Sequence, residues 1–122
     1  CLIRRYIGKF LAEKEFYENG DIKDSVPYCH HLNKATGFIY EPEGYLIDME
    51  PDFYALDYLN AWAGANVLRG FLEKRYGDSW FQVPRAGEFL KEIAASGRRH
   101  SVETVITSFC GEPLRLPDYL GD

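Results

Sequence analysis

The segment between Pro51 and Gly77 limits the fold of this chain more than any other feature. It contains no further proline, and its apolar residues recur at helical spacing. They occupy more than one stripe of a helix: Phe53, Leu56, Leu59, Trp62, Ala63, Val67, Leu68, Phe71 and Leu72. The pattern predicts a long central helix, buried on several sides, with Asp48 or Glu50 as its N-cap and Gly77 after its last residue.

Four further segments combine helical periodicity with residues that start or stop helices. We predict helices over 2–17, with Asn19-Gly20 as the stop, from Ser25 towards Gly37, from Pro84 to Gly97, and from Ser101 to Gly111. Residues 38–47 form a turn-rich crossing, in which a short hairpin is an open alternative. The tail, PLRLPDYLGD, is expected to be extended or to form a single turn on the surface. The sequence therefore predicts an all-α fold of about five helices in one compact domain, residues 1–122.

Composition and charge exclude several classes of function. The chain has 122 residues, 46% of them hydrophobic, and a net charge of -5 from 19 acidic and 14 basic residues. It carries no basic stripe, so a nucleic-acid partner is not expected. No apolar run approaches the roughly 20 residues that span a bilayer, and no pattern in this sequence suggests a signal peptide, so we expect a soluble protein without a membrane partner.

Three cysteines, Cys1, Cys29 and Cys110, form no C-x-x-C pair. An odd number of cysteines is not typical of a disulfide framework, so a reducing, cytoplasmic location is expected. The first residue is not methionine and the first helical pattern has no cap, which suggests a piece of a longer chain.

No complete catalytic or metal motif is found in the sequence. His30 and His31 are adjacent, whereas chelation from one helix needs spacing of four residues, so no metal site is predicted. Cys110 precedes a helix-ending glycine and is interpreted as a small buried hydrophobe rather than a nucleophile. A weaker alternative is a zinc or redox domain that uses Cys29 and His30.

A polar stripe near the start of the central helix is the strongest candidate site. Tyr54, Asp57, Tyr58 and Ala61 share one face by the three- and four-residue spacing of helices. Tyrosine offers contact area and a hydroxyl, so Tyr58, Tyr54 and Asp57 are candidate substrate-binding residues. A stripe that merely faces solvent is the competing interpretation.

Three segments together resemble the C-terminal helical region of zinc metallopeptidases of the thimet oligopeptidase and oligoendopeptidase F kind. They are NKATGFIYEPEGYLIDMEPDFYALDYLNAWAG, EKRYGDSWFQVPRAGEFLKEIAASGRRHSVETVI and LRLPDYL. The resemblance implies a C-terminal part of a longer enzyme that lines a peptide channel. It also implies a peptide substrate, and contact with the catalytic N-terminal region of the same parent protein.

The family binds zinc through an H-E-x-x-H helix, whose glutamate is the general base, and no such motif is present here. The resemblance implies zinc for the parent and an inactive chain when it is alone. The family's tyrosine wall has the form A-x-Y-Y-x-Y-x-W, in which hydroxyls reach the substrate carbonyl. Ala55, Tyr58 and Trp62 match this form, whereas Asp57 and Asn60 replace two of its tyrosines.

A self-contained helical protein-interaction module is the alternative. The apolar residues of FIYEPEGYLI and WFQVP would form its contact patch.

Overall fold

A computed structural model describes residues 2–115 of the chain, and all regular secondary structure in this range is helical. Its elements are α1 (Leu2–Asn19), α2 (Val26–Thr36), α3 (Tyr45–Asp48), α4 (Tyr54–Tyr76), a 3-10 turn (Trp80–Gln82), α5 (Pro84–Ala95) and α6 (Val102–Cys110). No strand occurs between residues 2 and 115. The all-α prediction is confirmed. The crossing near 38–47 contains no hairpin in this structure, and its last residues begin the short helix α3.

The chain divides into two compact units, Cys1–Leu59 and Asn60–Asp122. The boundary falls inside α4, so this helix contributes its first turns to one unit and the remainder to the other. No helix in the described range is long and apolar enough to cross a membrane.

The core of the first unit lies between α1 and α2. Ala12, Phe16, Tyr28 and Leu32 are buried there and pack against one another. Gly8 permits the close approach of the two helices, because a Cβ atom at this position would lie 3.1 Å from Leu32 Cα. The absence of a side chain at Gly8 therefore sets how closely α1 and α2 approach.

The core of the second unit is built by the later turns of α4 with α5 and α6. Phe89 stacks on Phe71 with ring centroids 5.3 Å apart, and it meets the edge of Phe109 at 6.0 Å. Buried Ala63 and Leu72 lie on opposite sides of the axis of α4, so different sides of this helix are buried at different points along its length. Of the large side chains that we expected in the core, Leu59 and Leu72 are buried, whereas the others, Trp62 among them, are half-buried.

The predicted N-caps of the central helix are wrong. α4 begins at Tyr54, because Asp52 and Phe53 adopt left-handed conformations with φ of 63° and 56°. Two consecutive left-handed residues cannot continue a right-handed helix, so the helix cannot extend back to Asp48 or Glu50. Asp48 instead closes α3 and accepts hydrogen bonds from other elements.

The remaining helix ends follow the sequence signals more closely. Ser101 caps α6 by accepting a hydrogen bond from Thr104 N at 3.2 Å, and Gly111 ends the helix with a φ of 76°. Ser25 makes no side-chain cap to α2; the preceding Asp24 accepts from Val26 N at 2.9 Å. Most of the predicted surface tail, from residue 116 onward, lies outside the described residues.

Candidate functional site

Charged side chains on one face of α1 hold the segment that leads into α4. Arg5, Lys9 and Glu13 are spaced four residues apart, which places them in one row along the helix. Arg5 donates to both carboxylate oxygens of Asp48, at 2.5 and 3.4 Å. Asp48 also accepts from the Tyr28 hydroxyl at 2.8 Å, so this carboxylate joins α1, α2 and α3.

The other two members of the row are buried charged residues. Lys9 Nζ lies 3.7 Å from Asp48 and 3.6 Å from Glu50, and Lys9 is only 6% exposed. Glu13 is 4% exposed, and its Oε1 accepts from Phe53 N at 2.7 Å. This bond fixes the backbone at the left-handed Phe53, a conformation that costs roughly 1–3 kcal/mol in a residue other than glycine. The row therefore supports the strained turn from which α4 begins.

Burial controls the protonation of two groups in this network. Burial raises the pKa of the Glu13 carboxyl above its ordinary value; the hydrogen bond from Phe53 N and the charge of Lys9 oppose this shift, and the charge of Asp52 adds to it. The pKa of Tyr28 is also raised, by burial first and then by its hydrogen bond to Asp48. Tyr28 consequently remains a protonated donor to Asp48 under all physiological conditions.

The first turns of α4 carry a cluster of tyrosines. The hydroxyls of Tyr54 and Tyr58 lie 3.4 Å apart, and their rings meet edge to face at 5.1 Å. Tyr6 of α1 packs against Tyr58 with centroids 4.7 Å apart. The hydrogen bond with Tyr58 is the main cause that raises the pKa of Tyr54. Both helix tyrosines are partly exposed, to 42% and 38%.

The predicted stripe faces outward as a whole. Asp57, between the two tyrosines in the chain, and Ala61, after them, are both exposed. Ala55 and Leu59 are buried on another side of the helix. The structure therefore brings Tyr54 and Tyr58 together and leaves Asp57 on the same exposed surface. Tyr6 is an additional member that the stripe alone did not reveal, since it belongs to a different helix.

Among the described residues, the histidines and cysteines do not form a shared site. His31 Nε2 lies 2.7 Å from Glu15, and its ring contacts that of His30 edge to face, with centroids 5.2 Å apart. Burial raises the pKa of the half-buried thiols of Cys29 and Cys110. Over residues 2–115, no group of three or more histidine, cysteine or acidic side chains is placed to hold a metal ion. Cys1 lies outside the described residues.

The crossing between α2 and α4 exposes several large apolar side chains. Ile39 and Ile47 are 84% and 91% exposed, and Phe38 and Leu46 are exposed by more than half. Phe81 of the 3-10 turn is 68% exposed in the second unit. These are the segments that the sequence marked as a contact patch for the interaction-module alternative.

The charged row on α1 is the main feature that sequence reasoning missed. Its signal was present, because two bases and an acid recur every four residues on a helix with a well-defined apolar face. An exposed salt-bridge face has the same pattern, so the spacing alone does not reveal that Lys9 and Glu13 are buried.

Comparison of the chain with protein-family models, with curated proteins and with solved structures finds no match.

Proposed function

We propose that this chain is the helical, channel-lining part of an oligopeptidase-like zinc metallopeptidase, in which Tyr58 and Tyr54 bind the peptide backbone. The observation that carries the proposal is the exposed pair of hydroxyls, 3.4 Å apart, at the start of α4. The sequence resemblance of the surrounding segments supports the same assignment.

The tyrosine pair has the chemistry that the proposal needs. A tyrosine hydroxyl can both donate and accept, and hydrogen bonds within a cluster of hydroxyls polarise their O–H groups. Such a donor fits a peptide carbonyl and, more strongly, the oxyanion that forms when water attacks it. Tyr6 packs against the ring of Tyr58 and limits the positions that this side chain can adopt. Asp57, on the same exposed surface, would contact the N-terminal amine or a basic side chain of the peptide.

Zinc belongs to the proposal as a property of the parent protein. When bound, it would polarise the peptide carbonyl and activate a water molecule. Its ligands are assigned to an H-E-x-x-H helix encoded upstream, since the described residues hold no suitable cluster. The residues of this chain would bind and orient the peptide.

The first experiment is to sequence the gene upstream of Cys1 and to assay the encoded protein for zinc and for oligopeptide hydrolysis. We expect an H-E-x-x-H motif and a zinc-dependent peptidase. A parent gene without such a motif would reject the peptidase assignment. The interaction module would then be the better interpretation, carried by the exposed Ile39 and Ile47.

The second experiment removes the Tyr58 hydroxyl from the intact parent protein. Because one lost oxyanion donor typically lowers kcat by roughly 10²–10³-fold, Tyr58→Phe should reduce kcat by about that factor. Its effect on the melting temperature should be small, since the side chain is 38% exposed. Tyr17→Phe is the matched control: Tyr17 is 59% exposed on α1, and its hydroxyl has no assigned role. Unchanged kcat in Tyr58→Phe, or equal losses in both variants, would contradict the role given to Tyr58.

A further inference from the structure

A cavity of about 450 Å³ lies in the first unit, between the end of α1 and the segment that follows α3. Apolar side chains form most of its wall, among them Phe16, Ile22 and Met49, and two carboxylates, Glu13 and Glu50, also line it. Its volume is within the range of small-molecule sites, roughly 300–1,000 Å³. Tyr17 and Ile22 on its wall are 59% and 55% exposed, so a ligand can enter on their side.

We infer that this cavity binds a linear apolar chain that ends in a primary ammonium group, with the ammonium at Glu13. The inference is independent of the peptidase proposal, because it uses neither the tyrosine pair nor zinc. Such a group occurs both in free alkylamines and in the lysine side chain of a peptide, and the two sources share the same chemistry.

The charges around the cavity favour a cation over an anion or a neutral group. The wall contains two carboxyl side chains, those of Glu13 and Glu50, and none of the lining residues is basic. Lys9 Nζ lies 3.6 Å from Glu50 and 3.7 Å from Asp48, and its charge also lowers the pKa of Glu13, so one ammonium is shared among several carboxylates. Asp52 adds a further negative charge near Glu13. An incoming ammonium would therefore supply a counter-charge that the protein does not provide in full.

Glu13 is built to accept such a group. Its side chain is buried, and its Oε1 accepts a hydrogen bond from Phe53 N. A buried carboxylate without full compensation is unfavourable, and burial accordingly raises the Glu13 pKa. An ammonium donor would form a charge-assisted hydrogen bond with the ionised form, while the methylene chain contacts Phe16 and Met49.

The test compares ligands that differ only in the terminal group. Hexylammonium, hexanol and hexanoate are titrated into the protein by calorimetry, with the Met49 methyl signal followed by NMR to locate binding. We expect hexylammonium to bind roughly tenfold or more tightly than hexanol and hexanoate not to bind. Shortening the chain from hexyl to butyl should weaken binding roughly threefold to fourfold per methylene. Equal affinity for hexanol and hexylammonium, or tighter binding of hexanoate, would overturn the inference.

Glu13→Gln tests the assigned carboxylate, because glutamine can still accept from Phe53 N but carries no charge. This variant should lose the preference for hexylammonium over hexanol, while Glu18→Gln, an exposed change on the same helix, should keep it. If Glu13→Gln does not fold, the wild-type affinity measured against pH decides. It should rise with pH as Glu13 ionises, and a flat profile would overturn the inference.

The two sources of the ammonium group are distinguished with an acetylated and amidated Gly-Lys-Gly peptide and its norleucine counterpart. Binding of the lysine peptide at this cavity indicates a peptide side chain as ligand. Binding of hexylammonium alone indicates a free amine. Failure of both ligands would reject the site without bearing on the tyrosine pair.

Discussion

At the scale of single residues, Glu13 makes the clearest pH-dependent contribution. Its folded-state pKa is raised above the ordinary 4.5 because the carboxyl is buried. The native state therefore binds this proton more tightly than the unfolded chain does. The resulting stability is fully present below the unfolded-state pKa and is lost as the pH rises through the folded-state value.

We predict that Glu13→Gln removes this dependence. The free energy of unfolding of the wild type, minus that of the variant, should fall as the pH rises above about 4.5 and then level off. Urea denaturation at a series of pH values measures both curves. Glu18→Gln is the control, since Glu18 is exposed and pairs with Lys14 across one turn, and its difference should be nearly flat. A difference that grows with pH for Glu13→Gln would mean that Lys9 stabilises the ionised carboxylate more than burial disfavours it.

The contrast between the tyrosines and Glu13 shows what a sequence reveals about single residues. Tyr54 and Tyr58 are four residues apart on one helix, so periodicity alone placed them on one face and the structure brings their hydroxyls together. Tyr6 and Glu13 act across elements, and their neighbours depend on how α1 packs against distant residues. Local spacing contains no information on that packing, so these two residues were not predicted.

At the scale of elements, two glycines in helix interiors should respond oppositely to the same change. A Cβ atom at Gly8 would lie 3.1 Å from Leu32 Cα and 3.2 Å from His31 O, both backbone atoms of α2. At Gly70, in α4, it would meet nothing within 4 Å. Alanine gains roughly 0.8–1 kcal/mol of helix propensity over glycine at either position, so only the packing differs.

We predict that Gly70→Ala stabilises the protein by about 0.5–1 kcal/mol, because it gains propensity without a clash. Gly8→Ala should instead destabilise it by up to about 2 kcal/mol, because α1 and α2 must separate and overpacking outweighs propensity. Thermal or urea unfolding of the two variants measures both signs. Stabilisation by Gly8→Ala would show that α2 shifts at little cost.

Element boundaries were predicted well where a residue acts through its own local conformation. Gly37 and Gly111 end α2 and α6 with φ of 78° and 76°, as expected of glycine after a helix. The predicted start of α4 was wrong. Asp48 resembles an N-cap residue in the sequence, but in the structure its carboxylate accepts hydrogen bonds from Arg5 and Tyr28. Its actual role depends on tertiary contacts, which capping preferences do not include.

At the scale of the whole molecule, α4 is the element that both compact units contain. The division falls between Leu59 and Asn60, with the buried Ala55 and Leu59 on one side and Ala63 and Leu72 on the other. The helical spacing of apolar residues over a long segment predicted this helix. Such spacing does not show which residues of the helix contact which part of the chain. The division is a property of the folded chain.

Because α4 is continuous through both units, we expect the two units to unfold together in the wild type. In Ala61→Pro, they should unfold independently. Ala61 is exposed and lies inside α4, so proline removes one helical hydrogen bond and clashes with the preceding turn, at a cost of about 3 kcal/mol. Native-state amide exchange at Leu32 and Leu72 measures the stability of each unit. We expect similar opening free energies at both positions in the wild type and clearly different ones in Ala61→Pro.

Ala61→Gly keeps the hydrogen bond, costs about 1 kcal/mol and should lower both values by a similar amount. Equal opening free energies in the proline variant would show that the two units are not coupled through the continuity of α4.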